Sequence, residues 1–326
     1  MRKKTTKPPV ALINNLHAAM AVELTTIPTY LYAYWSLKTQ EEGGSYYGSL
    51  AARLIMSVIT EEMLHMGLVA NVLNALGGSF TLNKEHFIPK YPSPIIRHNT
   101  GLYGYEVGLL RFSNAALITF LEIEKPAPDK SFVDMLDKER GWNTIGEFYA
   151  KIEKQLTANL DYSNGKQLSA FNNPGLGQMI EVNSQKTAKN ALELIVDQGE
   201  GYEKKETDDE NELSHYQKYL NVQQWIAQGQ VNTENDVHQV IDNPFNGAYT
   251  PDQQEANLAF NSTYSLLLDV LQKAFVNGDS SIFGAPTGLM VKLTQQAAVL
   301  RQSGFVTGTP FLPGPTFEYI PVKQRI

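Results

Sequence analysis

The chain has 326 residues and a mass of 36.3 kDa, enough for one large domain or two ordinary ones. At 42% hydrophobic and 19% charged it can bury a substantial core, which excludes wholesale disorder. Its 27 basic and 34 acidic residues leave a net charge of −7, and the one basic cluster is Arg2-Lys3-Lys4, so a cationic face for nucleic acid is not expected.

The basic N-terminus leads into an amphipathic stretch rather than the apolar core of a signal peptide. No apolar run approaches the roughly 20 residues of a membrane span. A cytoplasmic protein with no membrane partner is therefore expected. Over residues 11–38, Leu12, Leu16, Met20, Ile27, Leu31 and Tyr34 recur at three- and four-residue steps, the stripe of a long helix. Pro28 lies inside it and should bend it. Glu41-Glu42-Gly43-Gly44 breaks the pattern, and a second helix follows over 48–76, with Leu54, Val58, His65, Val69, Val72 and Leu76 on one face. Gly77-Gly78 ends it, so the two helices form an antiparallel hairpin.

Residues 79–105 read as irregular, and 105–124 as an apolar helix stopped by Pro126 and Pro128. A third major helix is predicted over 144–160 and a fourth over 184–220. The fourth is interrupted at 200–212 by an acidic segment too charged to bury. Two further helices, within 252–302, precede a Gly/Pro-rich tail. The prediction is all-α: one domain, 1–326, built as a four-helix bundle with additional C-terminal helices and long loops.

The chain has no cysteine, so a metal would have to be held by Glu, Asp and His. Glu23 falls on the apolar stripe of the first helix, where a carboxylate needs a cation or a hydrogen-bond partner; Tyr30 or Arg53 could serve as well as a metal. In the second helix Glu62 and His65 are three apart and share a face, while Glu61, one residue round, belongs to the surface or behind the ligands. Glu147 stands at the edge of the stripe of Ile145, Phe148, Ile152 and Leu156. Glu200 lies between two glycines at the end of an apolar run, and Glu212-x-x-His215 repeats the Glu-x-x-His spacing. On spacing alone, Glu200 and Glu212 compete for the place of the fourth-helix carboxylate. Two hairpins that each bring carboxylates and a histidine suit a carboxylate-bridged dinuclear site inside a bundle. His17, His86, His98 and His238 lack this context and read as surface or loop residues.

The stretches Glu23-Leu24-Thr25-Thr26-Ile27-Pro28-Thr29-Tyr30, Glu61-Glu62-Met63-Leu64-His65, Ile145-Gly146-Glu147-Phe148-Tyr149, Gln198-Gly199-Glu200-Gly201, Ser214-His215-Tyr216 and Gly314-Pro315-Thr316-Phe317-Glu318-Tyr319 resemble the ferritin-like domain of the iminophenyl-pyruvate dimer synthase family. That domain occurs in enzymes that couple imine forms of indole-3-pyruvate in violacein, rebeccamycin and staurosporine biosynthesis. The resemblance implies a ferritin-like fold and metal ligands at Glu23, Glu62, His65, Glu147, Glu200 and His215. It prefers Glu200, with Glu212 behind it. The large coupling enzymes carry sequence beyond this domain, so indole-imine coupling is not carried over.

Glu and neutral His suit two iron ions, with manganese or zinc as alternatives. The expected function is a non-haem di-iron oxidase or oxygenase, taking dioxygen and a small amino-acid-derived or aromatic metabolite; a homo-oligomer is compatible with it. Tyr30 is the candidate catalytic side chain, as an electron relay, and Tyr32 should face outward. Helices after residue 250 are expected to cover an end of the bundle and shape a substrate pocket. The alternatives are a ferroxidase or iron-binding protein without an organic substrate, and a non-catalytic metal-binding protein.

Overall fold

The structure is a computed structural model and describes residues 6–94, 106–126, 144–171, 175–199, 213–283 and 288–326. These hold eight α-helices and one two-stranded antiparallel sheet, Ser93–Pro94 with Glu106–Val107. The helices are α1 (Val10–Ser36), α2 (Tyr46–Ala75), α3 (Asn114–Ile123), α4 (Ile145–Gln155), α5 (Gln185–Gly199), α6 (His215–Ala227), α7 (Pro251–Asn277) and α8 (Gly288–Gln302).

The first hairpin forms as its sequence predicts. Gly43 takes the left-handed φ of +87° that a tight reversal needs, and a Cβ on Gly44 would lie 2.4 Å from the Lys38 carbonyl oxygen. Ser45 then caps α2 by accepting from the Gly48 N–H at 2.9 Å. α1 runs unbroken through Pro28. By length and composition α1 could also cross a bilayer, contrary to the expectation from its sequence. Here it is a core helix, packed along α2 and with 17 of its residues buried.

The second hairpin is built differently: each of its two rods is divided. α3 packs on α6 and α4 packs on α5, while α2 lies against both α5 and α6. The predicted helix 184–220 is thus two helices, and the predicted helix 144–160 stops at Gln155. The predicted helix 105–124 begins only at Asn114, capped by Ser113. Before that point the backbone N–H groups are spent on tertiary partners: Leu109 donates to Asn243, Arg111 to Asp242 and Phe112 to the Ser36 hydroxyl. A residue whose N–H is engaged elsewhere cannot close the i→i−4 ladder.

The C-terminal helices lie outside the bundle, α7 against α2 and α8 against α1. The tail is held to α7 by buried amides, Asn257 and Asn261 both donating to the Thr316 hydroxyl at 2.9 and 2.8 Å. It lays Phe317 on Trp35, with ring planes 7° apart and centroids 5.9 Å apart. This covering overturns the outward placement of Tyr32. That ring is buried, its hydroxyl donates to the Ile241 carbonyl, and a Cβ on Gly314 would sit 2.2 Å from the same hydroxyl.

Candidate metal centre

α1 and α2 bring in Glu23, Glu61, Glu62 and His65 from the middle of long helices. Glu124 stands at the C-cap of α3, and His215 is the first residue of α6, set by a capping box between Ser214 and Gln217. All are buried. His65 Nδ1 lies 3.5 Å from Glu23 Oε2 and 3.7 Å from Glu62 Oε2. His215 Nδ1 lies 3.1 Å from Glu62 Oε1 and 3.4 Å from Glu124 Oε2. Glu62 therefore turns one oxygen to each histidine. The ligand atoms of Glu23, Glu62 and His65 all lie within 4.8 Å of one another, and so do those of Glu62, Glu124 and His215. Each group could hold a metal ion, and Glu62 belongs to both.

Both imidazoles are oriented from behind. His65 Nε2 lies 3.1 Å from Gln198 Oε1, and His215 Nε2 lies 2.9 Å from Glu61 Oε2. Neither oxygen can donate, so each Nε2 carries the proton and each Nδ1 turns its lone pair toward the carboxylates. The outer carboxylates are held by phenols: Tyr149 donates to Glu23 Oε1, and Tyr30 to Glu124 Oε1 at 2.5 Å. That leaves Oε2 of each facing its histidine. His215 Nδ1 is buried without a hydrogen bond, although two carboxylates stand close to it. A buried nitrogen aimed at a point where oxygens converge fits a cation at that point.

The buried charges of the two groups also shift one another's proton affinities. Burial, reinforced by the charge on Glu62, pushes Glu23 up to about 8, and burial likewise raises Glu124. Burial would raise Glu62 as well, but the two imidazoles beside it, His215 and His65, outweigh it and hold that carboxylate well below its usual range. Burial works against the His65 imidazolium, yet Glu23 and Glu62 raise it to about 9.

Of the residues predicted from sequence, Glu23, Glu62, His65 and His215 come together. Glu147 is buried in the first turn of α4, its N–H received by Thr144, but it joins neither group of ligand atoms among the described residues. Glu200 and Glu212 lie outside the described residues. Arg53 is exposed and does not partner Glu23; Tyr149 does. Glu124 was missed, although it follows Phe120 by four and Leu117 by seven residues on an inward stripe. Pro126 and Pro128 follow it closely and mark a helix end, where a carboxylate ordinarily faces solvent. Glu61 stands behind His215 rather than at the surface. A narrow cavity of about 20 Å³ opens beside the cluster, walled by Val22, Ile145, Tyr149, Ile195 and Val196. Among the described residues, none of α7 or α8 lines it.

A helical hairpin facing a second, divided one, with Glu and His turned into the space between them, defines a ferritin-like protein with a buried potential metal site. The family model described as Ferritin-like matches residues 16–224, more than half of the chain, and the chain belongs to that family. Its fold is similar to the crystal structure of a ferritin-like protein from Caulobacter vibrioides, with a TM-score of 0.62 and 24% identity, covering 89% of this chain and 94% of that one. No curated protein matches the chain.

Proposed function

We propose that the chain holds two metal ions, iron by preference, and acts as a non-haem oxidase or oxygenase on a small amino-acid-derived or aromatic metabolite with dioxygen. The observation that carries this reading is Glu62, whose two oxygens serve two histidines in two overlapping ligand groups. Glu23 and His65 would complete one position, and Glu124 and His215 the other. Bound iron would supply the one-electron chemistry that dioxygen needs and that no side chain here provides.

The chain's own contribution is placement and proton control. Gln198 and Glu61 fix the histidine tautomers, and Tyr149 fixes the outer oxygen of Glu23. Tyr30 is the catalytic side chain of this reading, as an electron relay: its hydroxyl donates to Glu124, which could take the proton as the phenol gives up an electron to the oxidised centre. Phe120 and Tyr219 pack on the Tyr30 ring and keep water from it. The apolar wall of the cavity suits dioxygen. The likeness of the motifs around Glu23, Glu62 and His215 to the iminophenyl-pyruvate dimer synthase family supports an amino-acid-derived substrate.

The size of the cavity favours a second reading. About 20 Å³ admits a water or an ion but no aromatic ring, as a ferroxidase acting on Fe(II) alone would require. Anaerobic Fe(II) loading, elemental analysis and then oxygen uptake separate the two. An oxidase binds two ions and consumes dioxygen beyond the iron present when an aromatic amino-acid-derived imine or amine is added. A ferroxidase stops at the iron supplied, whatever organic compound is present. A folded protein that takes up no metal overturns both readings.

A further inference from the structure

The two histidines are held by chemically different partners. Behind His65 stands a neutral amide, Gln198; behind His215 stands the carboxylate of Glu61. The oxygen of Glu61 that receives His215 also receives the Lys218 ammonium, at 2.5 Å. Glu61 is 1% exposed and Lys218 6%. A buried lysine is uncommon, and a buried ion pair on balance adds little to fold stability compared with apolar residues of similar volume. The pair therefore calls for a local reason. His215 and Lys218 are three apart on α6 and share a face, while Glu61 is the neighbour of Glu62 on α2. The pair thus stands directly behind one histidine and not the other.

We propose that Glu61 and Lys218 form a positioning pair for His215 that makes the two metal positions unequal; this rests on the dinuclear reading above. The ammonium fixes the rotamer of Glu61 and gives it a counter-charge, and the carboxylate in turn fixes the ring. A carboxylate also polarises an imidazole N–H more than an amide does, which strengthens Nδ1 as a donor. The ion held by Glu62, Glu124 and His215 is therefore controlled by Lys218, whereas the ion held by Glu23, Glu62 and His65 is not.

The test replaces the pair as a unit. Glu61→Gln combined with Lys218→Met gives His215 the kind of amide partner that His65 has, and leaves no unpaired buried charge. Co(II) is titrated anaerobically into the full chain in competition with a chelator, with the visible absorption of Co(II) read alongside. The parent should bind two ions. In the double variant one of the two affinities should fall by about tenfold or more and its absorption change, with the other affinity unmoved. Lys218→Met alone should show at least the same one-sided loss, and Lys218→Arg should restore it. A two-ion parent whose double variant keeps both affinities, or loses both equally, overturns the role of the pair alone. A parent that binds a single ion overturns the dinuclear reading and this proposal with it.

Discussion

The two hairpins reach the same centre by different constructions. The first places Glu23, Glu62 and His65 in the interiors of two unbroken helices of 27 and 30 residues. The second places Glu124 at the C-cap of one helix and His215 at the first residue of another. In a helix interior, backbone periodicity fixes where a side chain points. At a helix end, direction depends on the cap and on whatever holds the neighbouring loop. The first half of the centre is thus specified by local pattern, and the second by tertiary contacts.

The largest effect should come from the residue common to both halves. Glu62→Ala should abolish binding of both ions while the protein stays folded, as read by elemental analysis after Fe(II) or Co(II) loading. A variant that still holds one ion tightly would show that Glu62 does not bridge. Next come the residues peculiar to one half. His65→Ala and Glu124→Gln should each weaken one position by about tenfold to a hundredfold and leave the other occupied, taking the chain from two ions toward one. Equal loss of both ions in Glu124→Gln would mean that the halves are not separable.

A smaller effect follows from the raised proton affinities of Glu23 and His65. Glu23 is raised to about 8 and His65 to about 9, so below pH 8 both carry protons that a metal ion must displace. Affinity should then rise with pH between 7 and 9, by about tenfold per pH unit for each proton released, and flatten above that range. Chelator competition at pH 7, 8 and 9 reads the slope; a flat profile would remove Glu23 and His65 from the ligand set.

The smallest effect contrasts two caps. Ser45→Ala and Ser214→Ala each remove an N-cap and should each cost about 1 kcal/mol in denaturant unfolding of the metal-free protein. Only Ser214→Ala, next to His215, should also lower metal affinity. Equal metal binding in the two variants would mean that the α6 cap does not aim the histidine.

The same contrast governs what could be read from the residues. Glu23 and the Glu62/His65 pair were legible because carboxylates and an imidazole stood where the 3.6-residue period demands apolar side chains. His215 was legible only through a spacing from Glu212, a residue outside the described ones, whereas the partners it has are Glu61, Glu62 and Glu124. Lys218 carried no signal at all, since a lysine three residues after a histidine reads as a solvated face. Tyr32 was misplaced for a related reason. Periodicity within α1 cannot know that a segment nearly three hundred residues later will fold across its outer side and bury the ring.

By itself the sequence determined the all-α class, the first hairpin and the donor chemistry, because helix period, glycine breaks and the lack of cysteine are local or compositional properties. The tertiary structure alone decided that Glu124 joins His215, that Tyr149 and Tyr30 hold the outer carboxylates, and that Glu61 stands behind a histidine. Those pairings join residues 94 to 154 positions apart, apart from the 91 between Glu124 and His215. Hydrogen-bond partners at such separations are chosen by how helices pack, and no periodicity within a single helix records them.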